Sequence, residues 1–319
     1  MQITRFLIVL FLSSLATLAL IVLAPLVPGM KTDPSAPWID GLYKQKIAAL
    51  RALHGNRIYV VSGSSSLFSL DTGVLSHAAG KPVINLATHA GLELPYILDR
   101  AERQMQPGDT IIFTPEYPLM VLPVEPNQLI IDYVTFFDRG YIASRPLGEQ
   151  AHFYLGYGFV DSIVETLKTI RTGKQVGRDD LTIDALGNAR GNTVALSVKD
   201  KSEFAPHGQP SPVSPDEVAV LRKFAAMARE KHATILAFPP ALIHLPGYET
   251  QGQRAQRQRV RATFRDLGMT VRGGDQDGWV EPDGIYDSGS HANDAGRAAY
   301  TARIAVLLCQ EIRCANPPQ

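Results

Sequence analysis

Cysteine is nearly absent: the 319 residues contain two, Cys309 and Cys314, both close to the C-terminus. With none elsewhere, a zinc site of the Cys-cluster kind is excluded. The two could pair in an oxidising compartment or stay as thiols. Pairing requires the last helix to end or bend between them, because residues i and i+5 do not face each other on a regular helix. Net charge is also missing, with 31 Lys plus Arg against 31 Asp plus Glu. No global field therefore attracts nucleic acid or an acidic polymer. No basic run with interleaved aromatics points to nucleic-acid binding either. No metal-ligand cluster, nucleotide fingerprint or internal repeat is visible, so neither a metal nor an organic cofactor is expected. Tryptophan is limited to Trp38 and Trp279. Both read as packing residues, Trp279 being the better candidate for a sugar platform.

What is present is a hydrophobic fraction of 45%, which suits a globular protein with a real core. The length allows one large α/β domain with an insertion. Residues 6–27, FLIVLFLSSLATLALIVLAPLV, carry no charge, and about 20 apolar residues suffice to span a bilayer. Arg5 lies before the run; Lys31 lies after it and is soon followed by Asp33. That weak bias places residues 1–5 in the cytoplasm and the body outside it. The rival reading is a cleaved signal peptide, but the run is long for one and no Ala-x-Ala site follows it. The expectation is a single-pass inner-membrane anchor over 6–27, a Pro/Gly linker over 28–37, and a periplasmic domain over 38–319.

Short β-branched runs punctuate that domain: RIYVV at 57–61, PVINL at 82–86, TIIFT at 110–114, TILAF at 234–238 and a weaker MTVR at 269–272. Helical patterns cover 92–105, 216–231, 250–267 and 294–311. Continuous apolar strands separated by helices imply a parallel sheet covered on both faces. The right-handed crossover rule then favours a doubly wound, flavodoxin-like sandwich of five strands. Residues 117–213 break the rhythm and are expected to be a partly helical insertion, a lid or a partner-docking surface.

Acyl-transfer chemistry needs a nucleophile, a base and a group that orients the base. Ser64 lies in the turn Ser62-Gly63-Ser64-Ser65-Ser66 that ends the first strand, where its Oγ would be exposed at the carboxyl edge of the sheet. A turn of Gly and Ser needs no chemistry of its own. The second half is Asp287-Ser288-Gly289-Ser290-His291, just before the last helix. A carboxylate four residues before a histidine on a turn can accept the Nδ1 proton and leave Nε2 to face a serine. The bland alternative is a surface turn in which Asp294 caps the helix.

Together, SGSSSLFSLD at 62–71, VINLATHAG at 83–91, DTIIFTPEY at 109–117 and YDSGSHANDAG at 286–296 resemble the blocks of the SGNH/GDSL hydrolase superfamily. More closely they resemble its membrane-anchored, extracytoplasmic branch, to which alginate O-acetylation proteins and the D-alanyl transfer protein of teichoic acid belong. The resemblance covers about 57–116 and 230–310. It implies Ser64 as nucleophile, His291 as base and Asp287 as orienting acid. It also implies an acylated polysaccharide or acyl donor as substrate and a membrane-bound O-acyltransferase as partner. Two features depart from the pattern. The acid stands four rather than three residues before the histidine. The third block ends in Thr114-Pro115-Glu116-Tyr117 without the usual Asn. An ionised carboxylate cannot donate to an oxyanion, so the hole must rest on backbone N–H groups near Ser65 and near Ala87 or Thr88, or on another side chain. His89 could donate to substrate or be bonded within its loop, Glu116 and Tyr117 could bind a sugar hydroxyl or pair with an Arg, and Asn293 reads mainly as a turn stabiliser. Two rivals to a serine esterase or O-acyltransferase remain: a catalytically weak or inactive SGNH-like partner of a membrane-bound O-acyltransferase in polysaccharide synthesis, and a lipase. The insertion's lack of a clear apolar lid stripe disfavours the lipase.

Overall fold

In a computed structural model the described residues are 2–27, 30, 33, 35–121, 126–172, 182–206 and 210–318. Five parallel strands form the central sheet: β1 (Ile58–Val61), β2 (Val83–Asn85), β3 (Thr110–Phe113), β4 (Thr234–Ala237) and β5 (Thr270–Val271). Their order is β2-β1-β3-β4-β5. Each lies within the run expected to hold it and is one or two residues shorter. Alternate residues point to opposite faces. Ile58, Val60, Ile112 and Leu236 join a core with Leu75 of the helix Thr72–Ala79 and with Tyr300, Ile304 and Leu308 of the helix Asp294–Cys309. On the other face Phe113 meets Phe224 and Phe264, from the helices Pro215–Glu230 and Gln251–Asp266, at 6.1 and 5.4 Å between ring centres. A parallel sheet buried on both faces needs runs that are apolar throughout, and β1 is buried at all four positions.

Several elements went unread in the sequence because they are short or lack a dominant period. These are the helices Ser64–Ser69 and Thr72–Ala79, the pair Leu242–Ile243 with Trp279–Val280, and the hairpin Thr182–Ile183 with Ala189–Arg190. The helix expected over 92–105 is confined to Glu93–Glu102. The linker expected over 28–37 lies partly outside the described residues, and from Ser35 onward the chain is already helical, in Ser35–Arg51.

The chain divides into two compact units. One comprises Gly41–Glu125 and Asp179–Gln319 and contains the sheet. The other comprises Met1–Asp40 and Pro126–Arg178. The segment that separates from the α/β unit is thus shorter than the insertion expected over 117–213. Residues 182–206 belong with the sheet, joined to it by Arg190, which bridges Asp71 and Asp184 at 2.8 and 2.7 Å. In the other unit, four helices, Gln128–Phe137, Arg139–Ala143, Leu147–Gly156 and Phe159–Thr172, follow one another. Its N-terminal helix, continued by a short 3₁₀ turn over Gln2–Leu26, is long and apolar enough to cross a membrane. The helix Gln2–Leu23 buries none of its residues.

The helix Asp294–Cys309 ends at the first cysteine, and Cys309 and Cys314 are joined in a disulfide with a Cα–Cα distance of 5.3 Å. The chain leaves the helix between them, which is what pairing at i, i+5 requires.

Candidate active site

Ser64, the loop after β2 and the loop after β3 lie at the carboxyl edge of three neighbouring strands, where the order β2-β1-β3 reverses the direction of sheet growth. Open α/β sheets place their sites at such a switch point. Ser64 is the first residue of the helix Ser64–Ser69. Its turn is held from below by β3, with Ser62 Oγ donating to the Thr114 carbonyl at 2.6 Å and Ser66 Oγ sharing a hydrogen bond with Thr114 Oγ1 at 2.6 Å.

His291 Nε2 lies 2.8 Å from Ser64 Oγ, and His291 Nδ1 lies 2.7 Å from Asp287 Oδ1. The four-residue spacing works because Asp287–Ser290 forms a closed loop. Tyr286 N–H donates to the His291 carbonyl at 2.8 Å, and His291 N–H donates to the Ser288 carbonyl at 3.0 Å. That loop turns the Asp287 carboxylate back onto the imidazole. Phe68 stacks on the imidazole with ring centres 4.3 Å apart and planes 22° from parallel. Ser69 Oγ accepts from Ala292 N–H at 2.9 Å and donates to the Ser290 carbonyl at 3.0 Å. Asn192 Nδ2 donates to the Phe68 and Ala292 carbonyls at 3.2 and 2.6 Å. The serine helix and the histidine loop, more than 200 residues apart in sequence, are thereby fixed to each other.

The expected oxyanion donors are distributed differently. Glu116 is buried, and its carboxylate accepts from Gly63 N–H at 3.0 Å and from Ser65 N–H at 2.5 Å. Burial raises its pKa, opposed by those two N–H groups and by the nearby His291. The Ser65 N–H is therefore committed to Glu116, and Glu116 holds the nucleophile turn in place of an Arg partner. The Ala87 N–H is committed as well, to Asn85 Oδ1 at 3.0 Å. Of the groups singled out, the Thr88 hydroxyl is buried with no hydrogen-bond partner among the described residues, and the Ser65 hydroxyl shares that state. His89 caps a short turn by accepting Gly91 N–H on Nδ1 at 3.0 Å, which in the neutral ring leaves the proton on Nε2. Tyr117 lines a small cavity with Pro115, Phe238, Arg261 and Phe264, whose walls include neither Ser64 nor His291. Burial pushes its hydroxyl up to about 12, with Arg261 opposing.

Asn293, rather than Asp294, caps the last helix: its Oδ1 accepts from Gly296 N–H at 3.1 Å and its Nδ2 donates to the Asp283 carbonyl at 2.6 Å. It is fully buried, so a role in touching substrate is set aside. Trp279 has its ring against His244, at 5.0 Å between centres, and under the Arg257 guanidinium at 4.9 Å.

Some supporting residues escaped sequence reasoning. Asn85 donates to the Ser66 carbonyl at 2.8 Å; a lone polar residue inside an apolar strand was the available signal. Lys46 is fully buried and donates to the Ala87 carbonyl. Its position among Ile39, Leu42, Tyr43, Ile47 and Leu50, all buried at helical spacing, was legible. Burial lowers its pKa to about 7, with Asp184 opposing. Asn192 had no local pattern to reveal it.

No protein-family model matches the chain, and no curated protein matches it either.

Proposed function

We propose that this chain is a serine esterase or O-acyltransferase of the SGNH type, anchored in the inner membrane with its α/β unit in the periplasm, acting on an acylated cell-surface polysaccharide. The strand order fits the flavodoxin-like, doubly wound sheet. The observation that carries the reading is the line Asp287–His291–Ser64, with links of 2.7 and 2.8 Å. In that line Ser64 Oγ attacks the acyl carbonyl while His291 Nε2 takes its proton, and Asp287 holds the other ring nitrogen and stabilises the imidazolium. The imidazolium returns the proton to the departing alkoxide. Water or a sugar hydroxyl, deprotonated by the same imidazole, then attacks the acyl-enzyme and frees Ser64. The oxyanion donors in this reading are the Thr88 and Ser65 hydroxyls, which are buried with no hydrogen-bond partner among the described residues.

The test is turnover of a p-nitrophenyl acetate-type ester by wild type, Ser64→Ala, His291→Ala and Asp287→Asn. Each variant should lose orders of magnitude, and combined losses should not add, because the three act as one unit. Turnover unchanged in Ser64→Ala would contradict the mechanism. A second reading, a catalytically inactive partner of a membrane-bound O-acyltransferase, is favoured by one observation: Glu116 already occupies the Ser65 N–H. Under that reading the wild type turns over no ester, and docking on the acyltransferase survives all three changes.

A further inference from the structure

The helix Phe159–Thr172 has an apolar edge that none of the described residues of its own unit covers. Val160, Ile163, Val164, Leu167 and Ile170 recur at i, i+3, i+4, i+7 and i+10, which puts them on one stripe of the helix, so the insertion does carry an apolar stripe, contrary to the expectation from sequence. Val160, Leu167 and Ile170 are 67%, 62% and 76% exposed. Ser162, on the opposite side, is buried. The inward side is thus the polar one, the reverse of a helix docked on a core by its apolar face.

The neighbourhood indicates what covers the stripe. Tyr157 and Arg139 reach the last turn of the membrane-spanning helix. The Tyr157 hydroxyl donates to the Ile21 carbonyl at 2.7 Å, and Arg139 Nη2 donates to the Val22 carbonyl at 3.3 Å. Gly158 alone separates Tyr157 from the first residue of Phe159–Thr172. The helix therefore starts close in sequence to groups that touch the C-terminal end of the helix Gln2–Leu23, and tyrosine and arginine are side chains that favour a membrane–water interface. Two acidic residues, Asp161 and Glu165, balance two basic ones, Lys168 and Arg171, and Lys168 pairs with Glu165 at 3.1 Å. With no net charge, the helix needs no anionic lipid to hold it.

We propose that Phe159–Thr172 lies in the bilayer interface, its Val160–Ile170 edge sunk at the boundary between headgroups and acyl chains, as a second membrane contact beside the span. This rests on the reading of Gln2–Leu26 as a membrane span. A lipid surface fits better than a protein groove because the stripe begins beside the end of that span.

The test uses the full chain with single cysteines, since the native pair is bonded to itself. Val164→Cys, Leu167→Cys, Asp161→Cys and Thr169→Cys are labelled with an environment-sensitive fluorophore and reconstituted into phosphatidylcholine vesicles. Leu12→Cys, inside the span, is the control. With lipids brominated near the headgroup, labels at 164 and 167 should lose about half their emission, and those at 161 and 169 much less. Quenching at 12 with bromine deep in the chains, but none at 164 and 167, overturns the inference and leaves the anchor standing. Equal quenching on both sides of the helix overturns it as well. No quenching at 12 removes the anchor, and the inference falls with it.

Discussion

The Thr88 hydroxyl is buried in the loop after β2 with no hydrogen-bond partner among the described residues, and a buried donor in that state costs stability that a ligand or an ordered water repays. If that hydroxyl faces the oxyanion, Thr88→Val should lower kcat by about 10²–10³ with little change in KM. Steady-state kinetics on the ester substrate checks this, and an equal loss in KM would assign Thr88 to substrate binding instead. Lys46 makes a different prediction. Its folded pKa is about 7, against 10.5 for an ordinary lysine. Between those values the unfolded chain holds a proton that the folded one lacks, so stability rises with pH through this window, by up to about 1.4 kcal/mol per pH unit. Below pH 7 the full cost of burying the ammonium is present. Denaturant titrations from pH 6 to 10 should show the rise in wild type and a flatter profile in Lys46→Met.

At the scale of elements, the turn between β1 and the helix Ser64–Ser69 is tightly enclosed. A Cβ on Gly63 would lie 2.7 Å from both carboxylate oxygens of Glu116 and 2.9 Å from Ala90 Cα. The carboxylate is held by two N–H groups and the Ala90 atom is backbone, so neither yields easily. Gly63→Ala should cost about 1–3 kcal/mol of stability and lower turnover by displacing Ser64, read from melting curves and kinetics on one preparation. The Cys309–Cys314 bridge closes only a short loop, and Cys314→Ser should cost on the order of 2 kcal/mol while leaving turnover unchanged. All five strands of the sheet were legible in the sequence, because a strand buried on both faces is apolar throughout. The line of Ser64, His291 and Asp287 could be proposed because each stands in a Gly- and Ser-rich turn next to a strand or helix end. The oxyanion groups were misplaced because a backbone N–H has no signature in sequence. Whether Ser65 and Ala87 were free depended on Glu116 and Asn85, which approach through the tertiary fold. The membership of residues 182–206 was hidden for the same reason: Arg190 and Asn192 act through partners about 100 residues away.

For the whole molecule, the apolar helix Gln2–Leu26 and the α/β unit make separable predictions. A C-terminal alkaline phosphatase fusion should be active, and the mature chain should retain Met1–Val27; a mature N-terminus near Met30 would replace the anchor with a secreted form. Carbonate washing should leave the chain in the membrane fraction. The central claim is that Ser64 is a nucleophile activated by His291 and oriented by Asp287, and covalent labelling of the membrane-inserted chain with a fluorophosphonate tests it most directly. One adduct per chain is expected, mapped by peptide mass spectrometry to Ser64, lost in Ser64→Ala and strongly slowed in His291→Ala. An adduct that persists in Ser64→Ala, or a wild type that takes no label while correctly folded, would contradict it.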